Sequence, residues 1–414
     1  MNLYAALPIM NEPNAEKTIR QILAQTQSPT ALYICVNQPE SYKTDTEKRR
    51  IFEQNQKTIG FICRGGFETH PYGNTIHIID KSTIGWNSKN HGVGWARKTL
   101  MDTINEVANP EDIIISLDAD TEYPPEYFES VKQIFTDVNR SKVKGQRLKD
   151  STGVTTVSEA NNPLPFTLHP LPNVVALSNP YYHKLTGSEP EDRAILRYEI
   201  YMRCYLQNLI RIGSPYAFTA LGSAMAVRVD AYRKMGGMAP KKSGEDFYFL
   251  QQLCKIGHVA TENSVTVYPS NRLSDRVFFG TGPALIKGVG GDWSSYPIYP
   301  PKLWDEIAQI YQNFENYFPP EDYQKLKSNS KTEAQLQKFC HEKFDGLRIL
   351  QYLKSNHTAR AKNFSPLQQS DEISLKENLE IFKIPIILPP DFSFETATIE
   401  LLDEIRNELY QKAT

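Results

Sequence analysis

The stretch "DIIISLDADTEYPPEYF", residues 112–128, decides the fold. Ile113, Ile114 and Ile115, followed by Ser116 and Leu117, have the length and composition of a short buried strand. The run ends in Asp118 and Asp120, separated by Ala119 and followed by Glu122. Burying such carboxylates unpaired is strongly unfavourable. The strand therefore either delivers them to solvent or holds them against something positive.

Outward from this strand, strands and helices alternate. Residues 3–9 ("LYAALPI"), 31–37 ("ALYICVN") and 75–80 ("TIHIID") read as strands. Residues 15–26 read as a helix capped by Asn14, with Ile19, Ile22 and Leu23 on one face. Residues 41–57 read as an exposed helix, residues 90–108 as another, and Tyr123-Pro124-Pro125 opens a helix over residues 126–135. Such alternation predicts an α/β fold, a mostly parallel Rossmann-like sheet with helices on both faces. Ligands of such sheets bind beyond the carboxyl ends of the strands. Asp118 and Asp120 lie there, as do Asn11 and Glu12 after the first strand and Asn37 after the second.

Residues 141–179 are less regular, with short strands expected at 154–157 and 174–177. Residues 188–213 read as a long helix opened by a capping box, Ser188 with Glu191. Residues 217–238 read as a strand pair, a short helix and a Gly236-Gly237 stop. Residues 244–258 read as a helix that begins with Glu245 and Asp246 and ends at Gly257. The glycine-rich residues 278–293 suggest a mobile loop. Beyond about residue 300 the chain turns polar and rich in lysine and glutamate, so the expected division is a domain of residues 1–300 and a helical accessory region of residues 301–414.

The 46 Lys and Arg residues nearly cancel the 48 Asp and Glu residues, leaving no global field to attract nucleic acid. No run approaches the roughly 18–20 apolar residues of a membrane span, and the first residues lack the pattern of a secretory signal. The 5 cysteines are scattered without a CxxC pair. That fits free thiols in a reducing, cytoplasmic compartment, and neither a disulfide framework nor a cysteine zinc site.

Carboxylates after a strand suit Mg²⁺ or Mn²⁺, hard ions that take oxygen ligands and are often completed by substrate phosphates. In an Asp-x-Asp turn one carboxylate can take the metal while the other reaches a ribose or a metal-bound water. Acids in that position also serve as a solvated turn or a helix cap. Glu245 and Asp246 suit a helix's first turn through its dipole, and a carboxylate there can also act as a general base. Arg97 can meet phosphate or base, or form a surface salt bridge. Arg272 and Arg276 flank the glycine-rich stretch, either as a basic turn or to close over a departing diphosphate. That stretch lacks the P-loop pattern.

The order of "ALPIMNE", "GVGWAR", "ISLDAD", "GSAMAVRVDAYRKMGGM" and "GEDFYFLQQL" over about residues 1–275 resembles the family 2 glycosyltransferases, nucleotide-sugar-dependent enzymes of the GT-A fold. The resemblance implies a nucleoside-diphosphate-sugar donor held by Pro8, Asn11, Glu12, Asn37, Arg97, Asp118, Ala119, Asp120, Arg272 and Arg276. It implies Mn²⁺ or Mg²⁺ on Asp120 and Asp118, with Gly222 and Ser223 on the acceptor side. It gives Asp246, beside Glu245, the role of base in an inverting transfer to a glycan, lipid or small-molecule hydroxyl. Asn37 departs from the acid common at that position, and residues 265–276 hold no histidine ligand. The Gln-x-x-Arg-Trp motif of polysaccharide synthases is missing. The alternatives are a retaining enzyme of the same fold and a non-catalytic nucleotide-sugar- or glycan-binding relative. A sugar-phosphate nucleotidyltransferase needs a glycine-rich start with Arg and Lys after the first strand, which "ALPIMNEPN" lacks.

Overall fold

The computed structural model describes residues 1–64, 75–87, 91–136, 174–261, 263–275, 277–278, 280–361 and 370–413. Strand β1 (Leu3–Ile9) leads through α1 (Ala15–Leu23) to β2 (Ala31–Pro39). A short tight turn (Glu40–Lys43) and α2 (Arg49–Cys63) precede β3 (Thr75–Trp86); α3 (Val93–Val107), β4 (Ile113–Ser116) and α4 (Tyr127–Thr136) follow. Next come β5 (Val174–Ser178), α5 (Glu189–Arg211), β6 (Met225–Arg228), α6 (Val229–Lys234), α7 (Glu245–Leu253), β7 (His258–Ala260) and α8 (Thr281–Val289). The remainder is helical: α9 (Pro301–Gln312), α10 (Phe314–Tyr317), α11 (Pro320–Ser328), α12 (Glu333–Phe344), α13 (Leu347–Ala361), α14 (Asp371–Ile381) and α15 (Ile399–Ala413).

The sheet has the order β3-β2-β1-β4-β6-β5-β7. The first four strands are mutually parallel, and β6 runs antiparallel to both β4 and β5. Ala5 of β1 sits between Leu32 of β2 and Ile115 of β4. Side chains alternate faces along a strand. Leu3, Ala5 and Leu7 accordingly join Ile19, Ile22 and Val131 under α1 and α4, while Tyr4 and Ala6 join Leu100, Ile104 and Phe249 under α3 and α7. The α/β architecture with helices on both faces is thus the one expected, with β6 departing from the parallel pattern.

A third core joins α5 to the later helices. Ile195, Cys204 and Leu209 pack with Leu285, Trp304, Phe344, Leu353, Leu375 and Ile405. Beside it Glu199, fully buried, accepts from Arg203 at 3.3 Å and from Arg406 of α15 at 3.0 Å, and lies 2.9 Å from Nδ1 of His183. Burial raises the pKa of this carboxyl, but Arg203, His183 and Arg406 outweigh it and hold the group at about 2. The last helix is therefore anchored to the sheet-bearing part of the chain through charge as well as apolar packing.

Several local expectations fail for identifiable reasons. Neither Asn14 nor Ser188 caps its helix through its side chain. At α5 it is the Asp192 carboxylate that accepts from the backbone N–H groups of Thr186 and Gly187, at 2.7 and 2.8 Å. The expected strand pair in residues 217–238 contains one strand, β6. Residues 41–57 hold the tight turn and the start of α2, whose Ile51 and Asn55 are buried. The glycine-rich stretch is not a loop throughout: residues 281–289 form α8, with Ala284 and Leu285 buried in the third core. The strand expected at residues 154–157 lies outside the described residues.

Candidate functional site

Beyond the carboxyl ends of β1, β2 and β4 the chain forms two adjoining cavities. The first, about 240 Å³, is lined by Pro8, Glu12, Asn37, Asp118, Ala119, Asp120, Ser223 and Arg272, among others. The second, about 570 Å³, is lined by Gly222, Glu245 and Asp246 together with aromatic residues of α5. Val93, Arg97, Asp118, Leu221, Val277 and Thr281 belong to both walls.

Arg97 is the centre of the partition. It sits on α3, which buries Ala96 and Leu100 against the sheet, so the guanidinium enters the interior instead of solvent. Nη2 donates to Asp118 Oδ1 at 2.6 Å, and Nε donates to Glu245 Oε1 at 3.0 Å. Nη1 donates to Ser116 Oγ and to the Gly222 carbonyl, both at 2.7 Å. The opening question about the carboxylates has its answer here: the first of the pair is held against a buried arginine. The surface salt bridge read from the sequence does not describe this network: Arg97 is buried and also lines the first cavity. Gly222 is required by close approach, since a Cβ there would fall 2.2 Å from Nη2 of Arg97.

The charges set each other's titration. Burial disfavours the Arg97 cation, yet Asp118 and Glu245 more than offset this and raise its pKa. Glu245 is pushed up to about 7, first by burial and then by neighbouring Asp246, with Arg97 pulling the other way. Tyr123 fixes the turn between the carboxylates: its hydroxyl accepts from the Asp118 N–H at 2.8 Å and donates to the Ser223 carbonyl at 3.2 Å. The Ala119 carbonyl accepts from Thr18 Oγ1 at 2.6 Å, tying the same turn to α1.

The second aspartate meets a second arginine. Arg272 places Nη2 at 2.7 Å from Asp120 and Nη1 at 2.8 Å from Glu12. Glu12 follows Asn11, whose φ of 53° is unusual outside glycine and which donates its N–H to Asn55 Oδ1 at 2.8 Å. Asn37 is buried and donates to the Ile9 carbonyl at 3.0 Å, bracing β2 against the end of β1. Ser223 lines the first cavity and Gly222 the second. Asp246 lines the second cavity at the start of α7, half-buried, and accepts from the Phe247 N–H at 2.7 Å. Arg276 lies outside the described residues.

One residue of the first cavity carries no sequence signal. His183 is buried, with Nδ1 against Glu199; its Nε2 is buried without a hydrogen-bond partner among the described residues. Nothing in the sequence around Tyr181-Tyr182-His183 pointed to it, because its partners Glu199 and Arg406 are distant in the chain.

Among the described residues no group of three or more His, Cys, Asp and Glu side chains forms a metal cage. A divalent ion bound largely through phosphates needs only one or two carboxylates. Asp120, partly exposed on the cavity wall, is an oxygen donor of that kind. The residues fit such an ion.

No family model and no curated protein matches the chain. Among solved structures it is similar to a mannosyltransferase, PcManGT, from Pyrobaculum calidifontis in complex with GDP-Man and Mn²⁺. That match has 12% identity and a TM-score of 0.37, over 98% of this chain and 85% of that one. It is also similar to glucosyl-3-phosphoglycerate synthase from Mycobacterium tuberculosis in complex with phosphoglyceric acid. There the identity is 12% and the TM-score 0.33, over 65% of this chain and 70% of that one. Among the described residues no helix is long and apolar enough to cross a membrane.

Proposed function

We propose that the chain is a glycosyltransferase of the family 2 type, moving a sugar from a nucleoside diphosphate to an acceptor hydroxyl with inversion. The observation that carries this reading is the pair of cavities sharing the Arg97–Asp118 wall, with Asp120 in one and Asp246 in the other. A donor and an acceptor need two such pockets that meet at one point. Asp120 would hold Mn²⁺ or Mg²⁺ in the first pocket, with Asp118 beside it. Such an ion supplies Lewis acidity toward the diphosphate leaving group.

The chain's own groups divide the remaining work. Arg97 holds the Asp118 and Glu245 side chains in place, so the partition keeps its shape. Arg272, held by Glu12 and Asp120, would turn from them toward a diphosphate. Asp246 accepts the proton of the attacking hydroxyl; Glu245 is the poorer candidate because its carboxylate is held by Arg97. Residues 301–414 would shape the acceptor side, since Leu347, Leu350 and Lys354 reach the second cavity. The free thiols suit the cytoplasm.

Screening nucleoside-diphosphate sugars with Mn²⁺ for donor hydrolysis identifies the donor; hydrolysis of none contradicts the reading. Asp246→Asn removes basicity while keeping size. It is expected to retain nucleotide affinity and lose transfer by roughly 10²-fold to 10⁴-fold. Unchanged transfer would move the base to Glu245 or favour a retaining mechanism.

A further inference from the structure

Tyr198, Tyr201 and Tyr205 recur at helical spacing along α5, and all three rings line the second cavity. Each residue is more than nine-tenths buried, yet no hydrogen bond joins their hydroxyls to any other described residue. The three hydroxyl oxygens are not sealed from solvent; they border the cavity. Tyr296 packs edge-on against Tyr198 and Tyr201, at 5.2 and 5.6 Å between ring centroids, and holds the stripe in place. Phe218, Phe247 and Tyr248 complete an aromatic lining. Flat apolar faces edged with idle hydroxyls complement a molecule that offers C–H faces and hydroxyl groups together. A sugar or polyol has that chemistry.

Charge narrows the class. Lys287 of α8 and Lys354 of α13 line the same cavity from two separate helices, and both are exposed. Among the described residues neither makes an ion pair; Lys287 donates to Ser295 Oγ at 3.1 Å. Asp292 is near enough to Lys287 for the two charges to interact. Of the acids lining the cavity, Asp118 and Glu245 are held by Arg97, and Asp246 begins α7. One part of the cavity thus suits a hydroxyl about to lose its proton, and another suits an anion.

We propose that the second cavity binds an anionic sugar or polyol, one bearing a phosphate or a carboxylate, as the acceptor. This rests on the transferase reading. The tyrosine stripe takes the sugar body, Lys287 and Lys354 take the charged group, and a hydroxyl is left facing Asp246. The later helices are part of the recognition, because Lys354 belongs to them.

Calorimetry on the full chain with Mn²⁺ and a nucleoside diphosphate tests this. The probes are hexose 6-phosphates, hexuronates, the matching uncharged hexoses and inorganic phosphate. The charged sugars are expected to bind about tenfold tighter than their neutral counterparts, the worth of one charge-assisted contact. Lys287→Ala with Lys354→Ala should erase that preference and leave nucleotide affinity unchanged. Tyr201→Phe, which keeps the ring, should weaken charged and neutral sugars alike by about fivefold. Phosphates preferred over carboxylates, or the reverse, would name the anion.

Equal binding of charged and neutral sugars would overturn the proposal, as would a preference that survives the double lysine variant. Inorganic phosphate binding as tightly as the sugar phosphates would also overturn it, by reducing the site to an anion patch. So would the absence of any sugar binding while the nucleoside diphosphate binds. Failure of the nucleoside diphosphate alone counts against the transferase reading, and the sugar probes still decide the cavity.

Discussion

Arg97 and Arg272 each bridge two carboxylates, and between them they hold both aspartates of the Asp-Ala-Asp turn. Their surroundings differ. The Arg97 side chain is 3% exposed, that of Arg272 33%. Arg97 also donates to Ser116 and the Gly222 carbonyl, linking β4, α7 and the approach to β6. Arg272 lies on an irregular segment after β7 and borders open cavity. An ion pair sealed from water is costly to break one-sidedly, while one in contact with solvent contributes little to stability. The same chemical motif therefore acts as scaffold in one place and as an exchangeable contact in the other.

The largest expected effect is on Arg97. Arg97→Met keeps much of the volume but leaves Glu245 and Asp118 without their cation. A loss of about 3–5 kcal/mol in unfolding free energy is expected, the usual cost of stranding buried charge. Denaturant unfolding followed by circular dichroism measures it. A cost below about 1 kcal/mol would erase the distinction between the two arginines.

Next in size is a pH effect confined to the Arg97 side. Glu245 releases its proton near 4.5 in the unfolded chain and at about 7 in the folded one. The folded state thus binds more protons between these values. Its contribution to stability is fully present below about 4.5 and is lost as pH rises through about 7. Glu245→Gln cannot titrate, so wild type should lose roughly 3 kcal/mol relative to this variant across that window. Parallel stability curves would mean that Arg97 keeps Glu245 ionised throughout, so that the partition carries no pH dependence of its own.

How much of this was legible in the sequence follows from range. β1, β2 and β4 announce themselves as apolar runs, and the carboxylates at their ends follow directly from position along the chain. Helix α8 did not, because Gly280, Gly282 and Gly288 lower local helix propensity. What stabilises it is tertiary, the burial of Ala284 and Leu285 against α5. The role of Arg97 was hidden for the same reason: its partners Asp118, Gly222 and Glu245 lie 21, 125 and 148 residues away. His183 and the tyrosine stripe match no motif. They become visible only when the fold brings one to the wall of the cavity that holds Asp120 and the others to the wall of the cavity that holds Asp246.

The smallest stability effect, and the sharpest test of the comparison, is expected at Arg272. Arg272→Met removes a cation that a third of its surface shares with solvent, so unfolding free energy should fall by only about 1 kcal/mol. Binding should respond more. On the proposed reading Arg272 leaves Glu12 and Asp120 for a diphosphate, and its guanidinium then makes charge-assisted hydrogen bonds that methionine cannot. Nucleoside diphosphate affinity in Mn²⁺ should drop about tenfold, with nucleoside affinity unchanged, since a nucleoside offers no phosphate to this group. The pair of ligands separates the two roles that an arginine on a cavity wall can have. Equal losses for nucleoside and nucleoside diphosphate would mean that Arg272 shapes the pocket as Arg97 does. A stability loss as large as that of Arg97→Met would mean that Glu12, buried beneath it, depends on this cation as much as Glu245 depends on Arg97.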